Sequence, residues 1–392
     1  MTCRGCGSSD TRTIFSLGDM PLANSLLDGP SQPYKTYPLE LALCPVCSLV
    51  QLTQTVPPED LFVDYSYLTS YSIPMVEHAK QLVDEVMSLY SPEFILEIGS
   101  NDGYLLQHYL PHSVPTVLGI DPSHIAAQAA KSRNVATIEG FFGSLYANTI
   151  VDQVDIIHAN NVLAHVPDLN DFVGGIALAL KPSGLAIIEV PYLCQLIDKT
   201  AFDTCYHEHI FYFSLTALSA LFARHNLIIN RTDEIPTHGG SLRLWVGKRG
   251  APDPTTLRLL SRESFFIRSS GYYRQFALRV EAAKRDTREL LSHRTVAGFG
   301  AAAKATIFLN ACGITSAEMP YIADATPTKQ GKFIPGTGIQ VLPVESWLND
   351  QPDATMILCW NFAHDVAHRY TPAYHGRFFT WYTPEIIQGV SQ

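Results

Sequence analysis

One stretch constrains this chain more than any other: "FILEIGSNDGYLLQHYL", residues 94–110, followed after a short interval by "VLGIDPSHIAAQAA". An apolar run, a glycine-bearing turn and a helix start, then a second apolar run ending in an acid, is the pattern of a nucleotide-binding α/β sheet. Glycines at 99 and 103 let a ligand approach the backbone, and Asp121 at the second strand's end accepts hydrogen bonds from ribose hydroxyls. The turn "EIGSNDG" is not the GxGxxG of a dinucleotide site. Its acids, Glu97 and Asp102, sit badly beside a pyrophosphate and well beside a cationic sulfonium, which favours S-adenosylmethionine over NAD. Glu97 is expected at the strand end facing the amino-acid part of the cofactor. Gly99, Ser100, Asn101 and Gly103 form the turn, and Asp121 holds the ribose. Downstream, "VDIIHANNVLAHVPDL" reads as a further strand ending in Asn160 and Asn161 at the same edge, and "LKPSGLAIIEVPY" as the turn and fifth strand of the sheet. Ahead of the first strand, apolar residues at helical spacing (Met75, Val76, Ala79, Leu82, Val83, Val86, Met87) predict a helix from about Pro74.

The chain has 392 residues, enough for two or three cores. A formal net charge of −10 argues against a nucleic-acid backbone as main partner. The opening "MTCRGCGSSD" has no apolar core, and no uncharged run approaches membrane-spanning length, so a cytoplasmic protein without a membrane partner is expected. Four of the eight cysteines form two matched pairs, Cys3/Cys6 in "CRGC" and Cys44/Cys47 in "CPVC". Two such knuckles complete a tetrahedral sulfur set suited to zinc. Four thiolates leave no open position, so the expected Zn²⁺ is structural.

Residues 203–214, "DTCYHEHIFYFS", place Tyr206, His207, Glu208 and His209 against an aromatic run. In a regular strand Tyr206 and Glu208 would share one face and His209 the other, so their convergence on one pocket requires a turn. His207 is assigned a structural role. In the last third, "THGGSLRLWVGKRG" reads as a glycine hinge and an alternating strand, with His238 and Arg243 as possible substrate contacts. A long helical pattern follows from about Ser261 to His293. "TVAGFGAAAKATIFLN" then gives a strand, a small-residue turn at Ala302 and a helix whose N-terminus, with Lys304, suits a phosphate. The next strand ends in Asp324, with Lys329 and Lys332 in the loop beyond.

Taken together, "CRGC…CPVC", "EIGSNDGYLL", "NNVLAHVPDL", "CYHEHIFYFS", "THGGSLRLW" and "GFGAAAKATIFLN" resemble the three-domain sugar C-methyltransferases, in order and over nearly the whole chain. These add a methyl group to carbon 3 of a nucleotide-linked 4-keto-6-deoxyhexose. The resemblance implies an N-terminal zinc-binding domain (1–66), a central Rossmann-like S-adenosylmethionine domain (67–250) and a C-terminal Rossmann-like α/β domain (251–392) that helps hold the nucleotide sugar. It carries catalytic positions over to Tyr206, Glu208, His209 and His165, and a tyrosine behind the zinc segment to Tyr67, with Tyr65 and Tyr71 as competitors. Methylating carbon requires a carbon nucleophile, which proton removal beside a ketone supplies. His209 suits the base, with Glu208 orienting it or binding substrate, and His165 and Tyr206 as donors to the enolate oxygen. Lys304, Ala302, Asp324, Lys329, His238 and Arg243 are the expected substrate contacts, and a monomer or small homo-oligomer the expected state. An NAD-dependent oxidoreductase, an O-methyltransferase on a related substrate and a zinc-knuckle interaction module are the competing readings.

Overall fold

A computed structural model describes residues 1–57, 68–292 and 294–382. Among the described residues the strands fall into three sheets. β1 (Arg12–Pro21), β2 (Thr36–Leu43) and β3 (Val50–Leu52) form an antiparallel sheet beside the cysteine knuckles. β4 (Phe94–Ile98), β5 (Thr116–Asp121), β6 (Ala136–Glu139), β7 (Val154–Asn160) and β8 (Leu180–Pro191) build a parallel sheet. β9 (Phe211–Tyr212) leaves that sheet and pairs antiparallel with β3 of the first one. β10 (Ile228–Ile235) and β11 (Ser241–Gly247) then return, giving the central order β10-β11-β8-β7-β4-β5-β6 with β11 antiparallel to both neighbours. β12 (Ala297–Phe299), β13 (Tyr321–Ala323), β14 (Gln340–Leu342), β15 (Ala354–Ile357) and β16 (Arg377–Phe379) form a wholly parallel sheet in the order β14-β13-β12-β15-β16.

The central sheet follows from its pattern. Strands covered on both faces carry near-continuous apolar runs, and β4 and β8 are buried along most of their length. The helix Ile73–Leu89 covers one face with Met75, Ala79, Leu82, Val83 and Val86, five positions on one helical stripe. On the helix Leu169–Ala179 the Asp168 carboxylate caps the N-terminus by accepting from the backbone N–H groups of Asn170 and Asp171.

Two sequence expectations are corrected. No α-helix follows the first glycine turn. The chain makes two short 3₁₀ turns, Leu106–His108 and Leu110–His112, because Pro111 has no N–H to extend a helix and disfavours the α conformation before it. The helical pattern across 261–293 is two helices, Pro254–Ser264 and Ser270–Leu291. Between them the chain dips inward at Ile267, which is buried, and in the last turn of the first helix Glu263 is drawn inside to accept from the Tyr192 hydroxyl and the Leu215 and Thr216 N–H groups. Among the described residues no helix is long and apolar enough to cross a membrane.

The loop after β1 fastens the N-terminal lobe to the C-terminal one. The Thr306 hydroxyl donates to the Ala23 carbonyl, and Leu27 makes a two-way backbone bridge with Phe333. That loop runs past the site.

Candidate active site

At the cofactor edge, Gly99 (φ 67°) and Gly103 (φ 75°) occupy left-handed backbone; a Cβ on Gly99 would strike the Val162 side chain. Asn101 and Asn161 also lie at positive φ, which asparagine tolerates better than most residues. Asp121 stands at the end of β5, its two oxygens accepting the N–H groups of Asn101 and Ser123, each at 2.8 Å. Around this turn lies a set of buried polar atoms without partners: both Glu97 oxygens, Ser100 Oγ, and the side-chain oxygens of Asn160 and Asn161. Burial, and then the charges of Asp121 and Asp102, push the Glu97 carboxyl well above its usual range. A buried carboxyl without a partner costs several kcal/mol unless it is protonated or meets a cation. The group that fits is one bringing positive charge and hydroxyls, as S-adenosylmethionine does.

In the N-terminal lobe, the four sulfurs of Cys3, Cys6, Cys44 and Cys47 lie within 4.8 Å of one another. Cys3 and Cys47 stand 3.5 Å apart, Cys6 and Cys44 3.6 Å. Zn–S bonds of about 2.3 Å place tetrahedral sulfurs about 3.8 Å apart, so this cluster fits Zn²⁺ and leaves no open position. Arg4 stiffens the first knuckle: its N–H donates to Gln51 Oε1 and its guanidinium to the Leu52 carbonyl.

The segment 203–209 is a turn, as convergence of its side chains requires. The His209 N–H returns to the Tyr206 carbonyl at 3.0 Å. The Tyr206 hydroxyl and His209 Nε2 are 2.9 Å apart, and the His165 ring meets His209 edge-on at 4.7 Å between centroids. Burial, and then the proximity of His165, hold His209 well below the usual histidine range, with the Thr204 carbonyl opposing. Burial takes His165 down to about 4 and His238 down to about 4. Glu208 is buried and pushed up to about 7, while an amide hydrogen bond from Asn24 Nδ2 (2.6 Å) pulls the other way. His207 points elsewhere, to the Tyr37 carbonyl at 3.1 Å. Tyr67 and Tyr65 lie outside the described residues; Tyr71 is exposed.

Family profiles match nearly the whole chain: "Putative zinc binding domain" at residues 3–62, "Methyltransferase domain" at 75–230 and "C-methyltransferase C-terminal domain" at 236–382. The C-methyltransferase NovU of Streptomyces niveus is 33% identical over 381 residues, 93% of this chain and 90% of that protein. This chain belongs to the C-methyltransferase family. Among solved structures, the PH0226 protein of Pyrococcus horikoshii OT3 (TM-score 0.39, 17% identity, 48% of this chain and 97% of that one) overlaps it in part. So does the Haloferax volcanii complex of the Trm112 methyltransferase activator with a methyltransferase (TM-score 0.38, 16% identity, 46% and 95%). Likenesses this distant carry no weight below.

The C-methyltransferase is thus S-adenosylmethionine-dependent and carries a four-cysteine zinc site. Its C-terminal sheet repeats the device of the central one. Asp324, after β13, accepts the N–H groups of Ala301 (2.7 Å) and Thr326 (2.8 Å), as Asp121 does after β5. Lys329 donates to the Ala301 carbonyl and stands 3.8 Å from Asp324. Ala302 caps the helix Ala303–Cys312, and Lys304 crosses the Trp360 ring at 4.7 Å to reach Asn361 Oδ1. His238, in left-handed backbone at φ 55°, sits close enough to His209 to oppose its protonation. Arg243 is not brought to this cluster. It is buried on β11, donating to Glu189 at 2.7 Å, with Glu85 at 3.4 Å and His78 at 3.2 Å completing its surroundings.

Sequence reasoning missed Asn24, Asp203, Trp360 and Trp381. Trp360 and Trp381 did carry a signal, since each follows a strand of a parallel sheet at the edge where ligands bind. Asn24 carried none, being 184 residues from the carboxylate it holds.

Proposed function

We propose that this C-methyltransferase transfers a methyl group to carbon 3 of a nucleotide-linked 4-keto-6-deoxy sugar, through an enolate formed at the 206–209 turn. The observation that carries this reading is the joining of Tyr206, Glu208, His209 and His165 in one half-buried cluster, close enough to Lys304 to feel its charge. An O-methyltransferase needs only a base for a hydroxyl. A half-buried set of imidazoles held neutral, beside a buried carboxyl poised near neutrality, suits removal of a proton from carbon.

S-adenosylmethionine supplies an electrophilic methyl group, and Glu97, Gly99, Ser100, Asn101, Gly103, Asp121, Asn160 and Asn161 are the residues assigned to hold it. His209 is held neutral, and a carbonyl can only accept, so its ring hydrogen is directed at Thr204 and the lone pair at Nε2 faces Tyr206. The proton leaving carbon is taken up at Nε2, with the Tyr206 hydroxyl bridging. General-base action of this kind contributes on the order of 10²–10⁴ in rate. His165 directs its ring hydrogen at the Glu208 carbonyl, so while neutral it offers an acceptor and suits a substrate hydroxyl better than the enolate oxygen. The donor to that oxygen is then Glu208. With its carboxyl near 7 it retains a proton for much of the time at neutral pH, and a donor placed there in a dry site is worth roughly 3–4 kcal/mol. Tyr67 remains a proposed member of the site. Lys304, Ala302, Asp324 and Lys329 are assigned to the nucleotide diphosphate, with the ribose at Asp324, and His238 to the sugar. Arg243 supports β8 from behind. Residues 1–66, 67–250 and 251–392 serve as zinc, cofactor and nucleotide-sugar lobes.

The test is mass spectrometry of thymidine-, guanosine- and cytidine-linked 4-keto-6-deoxy sugars incubated with enzyme and S-adenosylmethionine. A gain of one methyl on carbon, with deuterium from solvent exchanging at that carbon when the methyl donor is withheld, supports the reading. Methylation on oxygen, or turnover with NAD in place of S-adenosylmethionine, ends it.

A further inference from the structure

Asp203 stands three residues before Tyr206, in the 3₁₀ turn Phe202–Thr204, and is wholly buried. Its Oδ2 accepts the indole N–H of Trp360 at 2.8 Å and that of Trp381 at 3.2 Å, while its Oδ1 has no partner. Both indoles belong to the C-terminal lobe: Trp360 follows β15 and Trp381 follows β16. The neighbouring side chain joins the same contact, since Phe202 packs on Trp381 at 5.1 Å, and Trp381 stacks on Phe308 at 5.2 Å. On the other side of Asp203, the Thr204 carbonyl is the group toward which His209 directs its ring hydrogen. Trp360 also lies under Lys304 and against Gly239, where a Cβ would collide with its ring beside His238.

We propose that Asp203 is a positioning residue through which the C-terminal lobe fixes the turn bearing Tyr206, Glu208 and His209. A carboxyl buried this completely is costly, and an apolar side chain there would pack the same interface more cheaply. What a carboxyl adds is direction. One oxygen gathers two indole donors from two strand ends, which fixes the turn's height and rotation against the lobe assigned to the nucleotide. Lys304, on the ring of one of those indoles, is then held in register with His209. The proposal rests on the catalytic reading of the turn given above.

The experiment compares D203A, D203N and W360F in the full-length protein. D203A is expected to lower kcat for methyl transfer about tenfold to a hundredfold, the range for a hydrogen bond to a buried charge, with KM for S-adenosylmethionine within about twofold. D203N keeps one oxygen for both indoles and recovers most of kcat. W360F keeps a ring against Gly239 but loses the donor, and falls between. Nitrogen-15 spectra of the histidines provide a second readout, the His209 signal being assigned by its loss in H209Q. Wild type shows a single tautomer with hydrogen on Nδ1, and D203A a mixture. If D203A does not fold, D203N and W360F are read in the same way. Unchanged kcat in D203A, or a loss of kcat that D203N does not recover with the His209 tautomer unmoved, overturns the proposal. If the wild type methylates none of the keto sugars while D203A still alters the His209 signal, the substrate reading fails and the positioning role stands.

Discussion

Glu208→Gln should make the protein more stable at alkaline pH while lowering its activity. In the folded chain the Glu208 carboxyl is pushed up to about 7 from an ordinary value of 4.5, chiefly because burial penalises the charged form. A folded-state value above the unfolded one means the unfolded chain releases this proton first as pH rises. The associated stability is therefore complete below about 4.5, shrinks as pH climbs, and is gone once pH has passed through about 7. At about 1.4 kcal/mol per pH unit, a separation of roughly 2.5 units corresponds to about 3 kcal/mol. Glutamine keeps an oxygen for Asn24 Nδ2 and has nothing to ionise, so the variant escapes that loss. The assay is urea denaturation of wild type and variant at pH 5 and pH 8.5, with the central sheet's Trp245 among the fluorescent reporters. The difference between the two proteins should change by a few kcal/mol between the two pH values, in favour of the variant at pH 8.5. If the two denaturation midpoints move in parallel with pH, Glu208 does not ionise in a buried setting, and the role assigned to it as a neutral donor falls with that result.

Removing the Asn24 amide should raise the Glu208 carboxyl further. Because Asn24 is open to solvent, where water can substitute, Asn24→Ala should cost at most about tenfold in kcat, with the alkaline limb of the pH–rate profile moving upward. Tyr206→Phe should lower kcat at least about a hundredfold while S-adenosylmethionine binding, measured by calorimetry, stays within twofold; lost cofactor binding would place Tyr206 in the scaffold. Cys44→Ser should abolish zinc binding, read by metal analysis. Because β9 pairs with β3 directly behind the 206–209 turn, it should also depress methyl transfer; full activity without zinc would uncouple the two. Arg243→Ala should leave the buried Glu189 carboxylate with His78 as its remaining partner and destabilise the fold by about 1.5–3 kcal/mol, with KM for the sugar nucleotide unaffected; a large rise in KM would restore Arg243 as a substrate contact.

The parts legible in the sequence are those whose chemistry is contained in a short stretch. Two thiolates at CxxC spacing can reach one ion whatever surrounds them, and Cys3, Cys6, Cys44 and Cys47 do converge. A glycine turn followed by an acid one strand later is likewise local, and both instances, Gly99 to Asp121 and Gly300 to Asp324, close the same hydrogen bonds from turn N–H to carboxylate. Helix termini were less secure, because they depend on what covers them: the helix start expected after the glycine turn is two 3₁₀ turns around Pro111, and the helical pattern read across 261–293 is interrupted between Ser264 and Ser270, where Ile267 turns inward. What the sequence withheld is the junction. The aromatic run after His209 has the composition of a pocket wall, yet Phe211 and Tyr212 are also a strand of the zinc-side sheet, a pairing set by residues 50 and 51. Asn24 and Trp381 meet the 203–209 turn from opposite ends of the chain. Such contacts leave no periodic trace, since each uses one polar atom on a loop, and the partner's identity is fixed only when three sheets have packed. The turn is therefore held from outside its own domain: by an amide from the first lobe at Glu208 and by two indoles from the last at Asp203. On the proposed reading of the turn, the cofactor lobe alone would carry the residues assigned to catalysis without fixing their geometry, and all three lobes would be needed for the proton and the methyl group to meet at one carbon.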